Sequence, residues 1–375
     1  MNVKVITRHI PSNYGSLLQA FATIDIINKL GHNCEIIDYH RPNERGIKNV
    51  ISQLKNKNKY CSFLKRLAYI AVRYPIELYS QVKFDAMRRK YLTTTACFTN
   101  PDDLKQLQAD VFITGSDQVW GPTADGHFDS SYFLNFVDDS VPKIAYSASF
   151  GRTEFDDATI DAYKKLLLRY NAIAVREKSA VELIKMWQLN NCVGQVLDPT
   201  LLLNRKEWLN LIPLKNYAQK YAKKKYILIY QIHNDPTLSI YAKNLAKHLN
   251  LNLLRVSPTF HQIMRSGKLI CCPDLPELFA LFDNAECIVT DSFHGTCFSI
   301  IFEKQFIEIL PNNGTSTRNQ NILEMTNLSD RIVTDFNDFS IAGKPIDYKN
   351  VRSIIETERV HSINVLKEEL GLTLQ

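Results

Sequence analysis

The stretch VKVITRHIPSNYGSLLQAFATIDIINKLGHNCEIIDY, residues 3–39, decides the fold class. Residues 3–8 have the apolar pattern of a strand, and turn residues follow at 13–15. Apolar side chains then recur at helical spacing over 17–30, and 34–39 is a second short apolar run. A strand, a turn, a helix and a strand in this order open a parallel, doubly wound α/β sheet.

The same alternation continues along the chain and restarts after residue 210. In the first part, short apolar runs predict strands at 109–114, 143–147, 172–175 and 193–197. In the second part, the pattern predicts strands at 226–232, 251–256, 287–290 and 306–310. We therefore predict an α/β protein with two Rossmann-like domains and an active-site cleft between them.

The predicted boundaries follow from this pattern and from a Lys-rich stretch at 215–225. An N-terminal Rossmann-like domain covers 1–210 and carries a basic helical insertion near 41–90. A C-terminal Rossmann-like domain covers 211–345 and carries the motif DSFHGT. The segment 346–375 is amphipathic and is predicted to form a helix that packs back.

Length and composition allow two hydrophobic cores and argue against several classes of protein. With 375 residues, 45% of them hydrophobic, the chain exceeds the size at which a single core stops growing. No apolar window reaches the roughly 20 residues of a membrane span, and no secretory pattern follows Met1, so we expect a cytoplasmic protein. The eight cysteines are never spaced as CxxC, so we expect reduced thiols and no metal site.

The net charge of +6 is unevenly distributed. Residues 41–90 hold thirteen Lys and Arg against three acidic residues, so the rest of the chain is net negative. One local basic block is not the surface of a nucleic-acid-binding protein, and no such partner is expected. Within the block, apolar residues at 63–78 repeat at helical spacing beside Lys65, Arg66 and Arg73. This fits a core-facing helix with a solvated basic face, or peripheral docking on an anionic cytoplasmic membrane leaflet.

Three polar loops stand where a predicted strand ends and a helix begins, at 13–16, 115–120 and 291–296. Open α/β sheets bind ligands at this end of their strands, where helix amino termini offer free N–H groups and a positive dipole. None of the three is a Walker loop or a GxGxxG turn, so nothing indicates ATP hydrolysis or dinucleotide binding.

His294, in the loop DSFHGT at 291–296, is the first catalytic candidate. A histidine at a strand-to-helix turn, beside glycine and hydroxyl residues, can present its imidazole next to an anion held by backbone N–H groups. The alternative is a histidine that caps its own helix through Ser292 or Thr296.

Two arginines are candidates for binding an anionic substrate. Arg176 ends a predicted strand and precedes a helix. From this position a guanidinium can bind a carboxylate or a phosphate through two hydrogen bonds. Its alternative is a surface salt bridge to Glu177 or Glu182. Arg318 lies in a Gly, Thr and Ser-rich stretch before a helix, and its alternative is a solvated loop residue.

Asp117 follows the predicted strand at 109–114, so its carboxylate is placed to act as a general base or to accept from a sugar hydroxyl. Its alternative is a turn-forming aspartate cap. Nearby, Trp120 either stacks on a sugar ring or covers the core.

Six segments occur in a fixed order along the chain: NYGSLLQA (13–20), FITGSDQVWG (112–121), KIAYSASFG (143–151), AVREKSA (174–180), VLDPTLLL (196–203) and TDSFHGTCFSI (290–300). Their order and spacing resemble the polysaccharide pyruvyl transferase family over roughly residues 3–330. The resemblance implies a glycosyltransferase-B-like pair of domains, phosphoenolpyruvate as donor, and a pair of sugar hydroxyls as acceptor. The products would be a pyruvate ketal and phosphate, with phosphoenolpyruvate as co-substrate and no cofactor.

The resemblance also implies roles for residues of this chain. His294 and Asp117 are the predicted acid and base, with the order between them left open. The predicted donor-binding residues are Arg176, Arg318, Ser292, Gly295, Thr296 and Ser116. The predicted acceptor-binding residues are Asn13, Tyr14, Gly15, Gln118 and Trp120.

One position departs from a pattern seen in some members of the family. They carry Arg two residues before this histidine, where this chain has Ser292. Arg318, or hydrogen bonds from Ser292 and Thr296, are expected to replace that cation.

Two other functions fit the same sequence. A nucleotide-sugar-dependent glycosyltransferase shares the fold, and a non-catalytic glycan-binding subunit is the alternative from a different class. The expected partners of the pyruvyl transferase are phosphoenolpyruvate and a sugar acceptor, either free or carried on a polyprenyl-phosphate lipid at the inner face of the membrane.

Overall fold

The chain forms two units in a computed structural model that describes residues 1–41, 44–55, 62–123, 126–311 and 316–371. The first unit is Met1–Leu202 together with Glu358–Gln375, and the second is Leu203–Thr357. The unit changes after Leu202, where the sequence pattern placed a boundary at 210, because Asn204 already begins a helix of the second unit with a capping box.

Parallel strands build the sheet of the first unit. They are β1 (Asn2–Ile6), β2 (Asn33–Ile36), β3 (Val111–Thr114), β4 (Lys143–Ala148), β5 (Ala172–Val175) and β6 (Cys192–Gln195). Their order across the sheet is β2-β1-β3-β4-β5-β6. The helices are α1 (Tyr14–Lys29), α2 (Gly46–Lys55), α3 (Phe63–Tyr91), α4 (Asp157–Leu167) and α5 (Lys178–Met186).

Burial explains which strands of this sheet are easy to recognise in the sequence. Every residue of β3 and β4 is buried, so both strands appear as mainly apolar runs, although β4 also buries Lys143 and Ser147. An aromatic cluster covers one face of the sheet and contains Trp120, Phe133, Phe150 and Tyr163. The basic segment 41–90 supplies α2 and α3, and α3 continues through Pro75; residues 42–43 and 56–61 of that segment lie outside the described part.

The second unit repeats the architecture with five strands. They are β7 (Tyr226–Tyr230), β8 (Asn252–Ser257), β9 (Lys268–Cys271), β10 (Cys287–Thr290) and β11 (Phe306–Glu308), in the order β11-β10-β7-β8-β9. The helices are α6 (Arg205–Leu211), α7 (Tyr217–Ala222), α8 (Pro236–His248), α9 (Leu275–Asp283), α10 (Phe293–Ile301) and α11 (Thr317–Met325). All paired strands of this sheet are parallel.

The last helix, α12 (Tyr348–Glu369), is divided between the two units. In the second unit, the Tyr348 hydroxyl donates to the carbonyl of Ser299 at 3.3 Å. In the first unit, Ser362 Oγ accepts from Leu197 N at 2.9 Å, and the Tyr146 hydroxyl donates to the Ser362 carbonyl at 2.9 Å. The segment 346–375, which the sequence predicted to be one closing helix, therefore has partners in each unit, with 372–375 outside the described part.

Each sheet has a point where the strand order reverses direction. In the first unit this switch point lies between β1 and β3, and in the second between β7 and β10. Loops at the carboxyl ends of these strands leave the sheet on opposite faces, which opens a crevice suited to ligands. The loops at 13–16 and 115–120 lie at the first switch point, and the loop at 291–296 follows β10 at the second.

Candidate functional site

At the first switch point, the loop between β1 and α1 begins the site. Asn13 caps α1, since its side-chain oxygen accepts from Gly15 N at 2.8 Å and from Ser16 N at 3.4 Å. The Tyr14 ring is buried and packs on Phe84, with 4.9 Å between ring centres. The side chain of Tyr14 is thus part of the core, and a ligand could reach that residue only at its backbone. The acceptor contacts of Asn13 and Gly15 stay predictions.

Asp117 is held in a strained turn after β3. Its φ of +80° lies in the left-handed region that favours glycine, and such strain concentrates at functional sites. The carboxylate accepts from Ser16 Oγ and from Gln118 N, both at 2.8 Å. The bond from Gln118 N is the local contact of a turn-forming aspartate, while the bond from Ser16 ties the carboxylate to α1. The turn-forming contact considered for Asp117 is therefore present, and its role as a general base or as an acceptor from a sugar hydroxyl stays a prediction.

Arg176 lies in a buried ionic network beside this turn. Its Nη1 donates to Asp198 Oδ2 at 3.0 Å, and Ser116 Oγ donates to the same oxygen at 2.8 Å. The side chains of Arg176 and Asp198 are 1% and 0% exposed. Of the surface salt bridges considered for Arg176, the one to Glu177 is present, with 3.7 Å between Arg176 Nε and Glu177 Oε2, but both side chains are buried. The surface location is therefore wrong, and the shorter contact is to the buried Asp198 of VLDPTLLL.

The charge of Arg176 is compensated inside the first unit. Burial by itself lowers the pKa of the guanidinium, but attraction to Asp198, Glu177 and Asp117 outweighs burial and raises that pKa above its ordinary value. Arg176 is consequently always ionised and holds Ser116 and Asp198 in place. In this arrangement Arg176 orders the loop, and its predicted role in donor binding stays a prediction.

Sequence reasoning missed a second charged network at the ends of β1 and β2. Arg8 Nη2 donates to Glu44 Oε1 at 2.8 Å, and Arg41 Nε donates to Asp129 Oδ2 at 3.1 Å. The Arg41 guanidinium also lies 4.1 Å from the centre of the Tyr132 ring. The sequence offered one signal for these arginines, which is that they follow strands. Polar residues that follow a strand lie at the edge of the sheet where ligands bind.

Trp120 and Gln118, both predicted to contact the acceptor, have different environments. Trp120 is fully buried, stacks on Phe133 with 5.5 Å between ring centres, and donates its indole N–H to the Tyr132 carbonyl at 3.1 Å. It therefore covers the core, and an indole buried in this way has no face to offer a sugar. Gln118 is half-buried and packs against Gly151, where a β-carbon would collide with its side chain.

In the second unit, Asp291 joins the loops that follow β7 and β10. Its carboxylate oxygens accept from Ile232 N at 2.9 Å and from His233 N at 3.2 Å. The first residue of DSFHGT therefore fixes the loop after β7, and the switch point of this unit is held by a side chain from the motif itself.

Ser292 and Gly295 shape the start of α10. Ser292 Oγ accepts from Gly295 N at 3.3 Å and is the cap of the helix, so His294 does not fill that role. A β-carbon on Gly295 would meet the Thr290 side chain and would lie 3.0 Å from Tyr230 Cδ1. Only glycine lets the helix approach the sheet this closely.

His294 lies in the first turn of α10 and is 7% exposed. Its ring is 5.2 Å from the ring of Phe293, at an interplanar angle of 80°. The structure thus places the imidazole at the helix start that the sequence indicated, and its catalytic role stays a prediction.

Glu308, at the end of β11, is a buried carboxyl that sequence reasoning missed. Thr296 Oγ1 donates to Glu308 Oε2 and Asn319 Nδ2 donates to Oε1, both at 2.6 Å. Burial raises the pKa of the Glu308 carboxyl to about 8, although these two hydrogen bonds favour the ionised form. A neutral Glu308 therefore links the first turns of α10 and α11.

Arg318 is in the first turn of α11 and is buried. Its guanidinium carbon lies 6.0 Å from the centre of the Phe293 ring, one residue from His294. The interpretation of Arg318 as a solvated loop residue is therefore wrong, because α11 begins at Thr317; part of the preceding stretch, 312–315, lies outside the described residues.

One group of side chains in the described residues has the chemistry of metal ligands. Asp38, His40 and Cys97 each place one ligand atom within 4.8 Å of the others, and Cys97 is exposed. Asp38 Oδ1 accepts from His40 Nε2 at 2.8 Å and from His9 Nε2 at 3.1 Å. Burial alone would raise the pKa of Asp38, but hydrogen bonds from His40 and His9 hold it well below its usual range.

The two units define the class of protein. Each has a parallel sheet and polar groups gathered at its switch point, which is the architecture of a glycosyltransferase-B-like protein with two Rossmann-like domains. MnaA of S. aureus, solved with UDP, matches at a TM-score of 0.54 and 14% identity over 100% of this chain and 98% of its own. The Methanocaldococcus jannaschii UDP-GlcNAc 2-epimerase, solved with UDP-GlcNAc and UDP, matches with a TM-score of 0.53 and 14% sequence identity, and the match covers 100% of both chains. AviGT4, a glycosyltransferase of avilamycin A biosynthesis, matches with a TM-score of 0.50 and 10% sequence identity. The match covers 98% of this chain and 96% of AviGT4.

Within that class, the chain belongs to the polysaccharide pyruvyl transferase family. The model of this family matches residues 13–313, which include the turn at Asp117, Arg176 and the whole of DSFHGT. No curated protein gives a match. The six segments that carried the resemblance thus all fall inside the matched region.

Proposed function

We propose that this protein transfers the enolpyruvyl group of phosphoenolpyruvate to two hydroxyls of a sugar, in the synthesis of a surface polysaccharide or a lipid-linked oligosaccharide. The observation that carries the proposal is the family match over residues 13–313. The reaction balances without a cofactor. One hydroxyl proton ends on the methylene carbon, the other leaves with phosphate, and both sugar oxygens become bonded to C2.

The start of α10 supports a donor site in the second unit. The amino end of a helix offers N–H groups and a positive dipole to the phosphate and carboxylate of the donor. Arg318, near Phe293, would supply the cation that Ser292 does not, and Gly295 brings these groups close to the sheet. His294 would then protonate the methylene carbon, which makes C2 electrophilic.

The turn at Asp117 supports a base in the first unit. Ser16 and Gln118 N orient the carboxylate, and the residue is half-buried, so that a hydroxyl could reach it. Asp117 would take the proton of the attacking hydroxyl. Arg176 and Ser116 would act as positioning residues for this turn, because Arg176 Nη1 and Ser116 Oγ both donate to Asp198 Oδ2.

The test is incubation of the purified protein with phosphoenolpyruvate and a panel of sugar acceptors. The expected result is release of phosphate together with an acceptor heavier by one pyruvyl group. Asp117→Asn and His294→Gln should each lower both signals by about 100-fold or more, and a wild-type protein that yields neither signal with any acceptor class would count against the proposal.

A nucleotide-sugar glycosyltransferase is the second candidate, because two of the structural relatives were solved with UDP. A ligand raises the stability of the protein that binds it by RT ln(1 + [L]/Kd), so thermal unfolding separates the two functions. Phosphoenolpyruvate should raise the melting temperature and UDP-sugars should not. The reverse result would favour the glycosyltransferase, and a response to glycans alone would favour a non-catalytic subunit.

A further inference from the structure

The helix α3 has an exposed apolar face. Its buried residues, which include Ser80, Phe84 and Met87, lie on one side of the helix. On the other side are Leu64, Val72, Leu78, Tyr79 and Val82, together with Ala68, Ala71, Pro75 and Ala86. Leu64, Val72 and Val82 are 75%, 67% and 57% exposed. The predicted core-facing stripe of this helix is therefore wrong for its first half, where Phe63, Leu64 and Leu67 are also exposed.

The neighbouring helix α2 also exposes apolar side chains. The two helices pack on each other, and Ile47 and Ile51 of α2 are 46% and 41% exposed. Single exposed apolar residues are ordinary on a protein surface, but a continuous apolar face along a helix marks an interaction site. We call this surface, formed by the exposed side chains of α2 and α3, the α2–α3 face.

The charges around the α2–α3 face all have one sign. Within the described part of residues 44–91, the exposed charged side chains are Lys48, Lys65, Arg66, Lys83, Arg89 and Lys90. The acidic residues there are less exposed and have polar or cationic partners: Glu44 with Arg8, Glu77 with Asn49, and Asp85 with Arg45 and Arg88. The outward surface is therefore apolar and cationic.

We propose that the α2–α3 face docks on an anionic phospholipid membrane, with α3 lying in the plane of the interface. An apolar helix face flanked by Lys and Arg binds such a surface by burying its apolar side chains among the acyl chains and its cations among the headgroups. The charge pattern argues against a second copy as the occupant, because two such faces would repel each other. No described helix is long and apolar enough to cross a membrane, which leaves an in-plane position.

The docking has a consequence that rests on the proposed function. A membrane-bound enzyme would meet an acceptor sugar carried on a polyprenyl-phosphate lipid at the inner membrane face. Its substrate would then be a lipid-linked oligosaccharide, and docking would raise turnover on that acceptor without changing turnover on a water-soluble one.

Co-sedimentation with vesicles tests the proposal directly. The probes are phosphatidylcholine vesicles with and without phosphatidylglycerol, at about 0.05 M and about 0.5 M salt. The full chain should bind only the phosphatidylglycerol vesicles and should release at high salt. The triple variant Leu64→Gln, Val72→Gln, Val82→Gln should bind at least about tenfold more weakly, because three side chains no longer enter the acyl region.

Two further variants serve as comparisons. Lys65→Gln, Arg66→Gln, Lys83→Gln should lose both the binding and its salt dependence. The matched control replaces three equally exposed apolar residues elsewhere in the first unit, Leu168→Gln, Met186→Gln, Val360→Gln, and should bind like the wild type. Lys55, Lys57 and Lys59, also in the basic segment, are left unchanged because their side chains lie outside the described residues.

Three outcomes would overturn the proposal. They are no binding of the wild type to anionic vesicles at low salt, equal loss in the control and the α3 variants, and a dimer in light scattering that only the Leu64, Val72, Val82 variant abolishes. Turnover on a water-soluble acceptor should be unchanged in every variant. Binding without turnover would therefore count against the proposed function and not against docking.

Discussion

Replacing Glu308 with glutamine tests whether the buried carboxyl at the end of β11 is uncharged in the folded protein. The carboxyl is fully buried, and its two hydrogen-bond partners, Thr296 and Asn319, are neutral side chains. Burial raises its pKa from 4.5 to about 8. Between these values the folded protein keeps a proton that the unfolded chain has released.

The sign of the effect follows from proton binding. Because the folded state binds more protons than the unfolded state in this window, the free energy of unfolding falls as pH rises, by about 1.4 kcal/mol per pH unit. The full stabilisation is present below about pH 4.5 and is lost as pH rises through about 8, a total of roughly 3–5 kcal/mol. Glutamine has the shape of the neutral carboxyl and does not titrate, so the variant lacks this dependence.

The assay is urea unfolding of the wild type and of Glu308→Gln from about pH 5 to about pH 9. The difference between the two free energies of unfolding cancels the titration of all other groups. We expect the wild type to lose stability relative to the variant as pH rises, with Glu324→Gln on the exposed side of α11 as the matched control. A difference that is constant over this range, or one that changes in the opposite direction, would refute a neutral Glu308.

Three further substitutions test the rest of the site. His294→Gln should lower turnover by about 100-fold or more with little change in stability, and a lower melting temperature with normal turnover would contradict an acid–base role. Arg176→Ala leaves Asp198 as a buried, unpaired charge, so urea unfolding should show a loss of about 3–5 kcal/mol, which Arg176→Lys should partly restore. Gly295→Ala should cost about 1–3 kcal/mol by overpacking and should reduce turnover, whereas Gly343→Ala, with open space around it, should do neither.

Periodicity predicted the fold because the strands at the centre of each sheet are buried on both faces. β3, β4, β7 and β10 are buried along their whole lengths and appear in the sequence as mainly apolar runs, with Lys143 and Ser147 as the polar exceptions in β4. β9 was not predicted, since it is a four-residue edge strand without a fully buried side chain, whereas the edge strand β6 was predicted because its apolar run continues into the buried Val196 and Leu197. Edge strands carry a weaker apolar signal because one side of them meets solvent.

The sequence predicts the contacts of the candidate site only where the interacting residues lie close together in one loop. Ser292, Gly295 and Thr296 form hydrogen bonds with one another at the start of α10, so the motif DSFHGT was enough to predict this turn, while their role in donor binding stays a prediction. The partner of Arg176 was not found, because Asp198 lies 22 residues away along the chain and becomes its neighbour only when the sheet forms. Glu308 was missed for the same reason, since its partners arrive on α10 and α11.

The two switch points solve the problem of burying polar groups in different ways. In the first unit, the opposite charges of Arg176 and Asp198 neutralise each other. Removing Arg176 would leave the buried charge of Asp198 uncompensated and would destabilise the fold. In the second unit, protonation neutralises Glu308, so no ion pair is needed there. The free energy of burying this carboxyl therefore depends on pH. Since Asp291 already places one negative charge near α10, a neutral Glu308 avoids a second one beside Thr296. Below a pH of about 8, Glu308 therefore adds no negative charge at the positive end of α10.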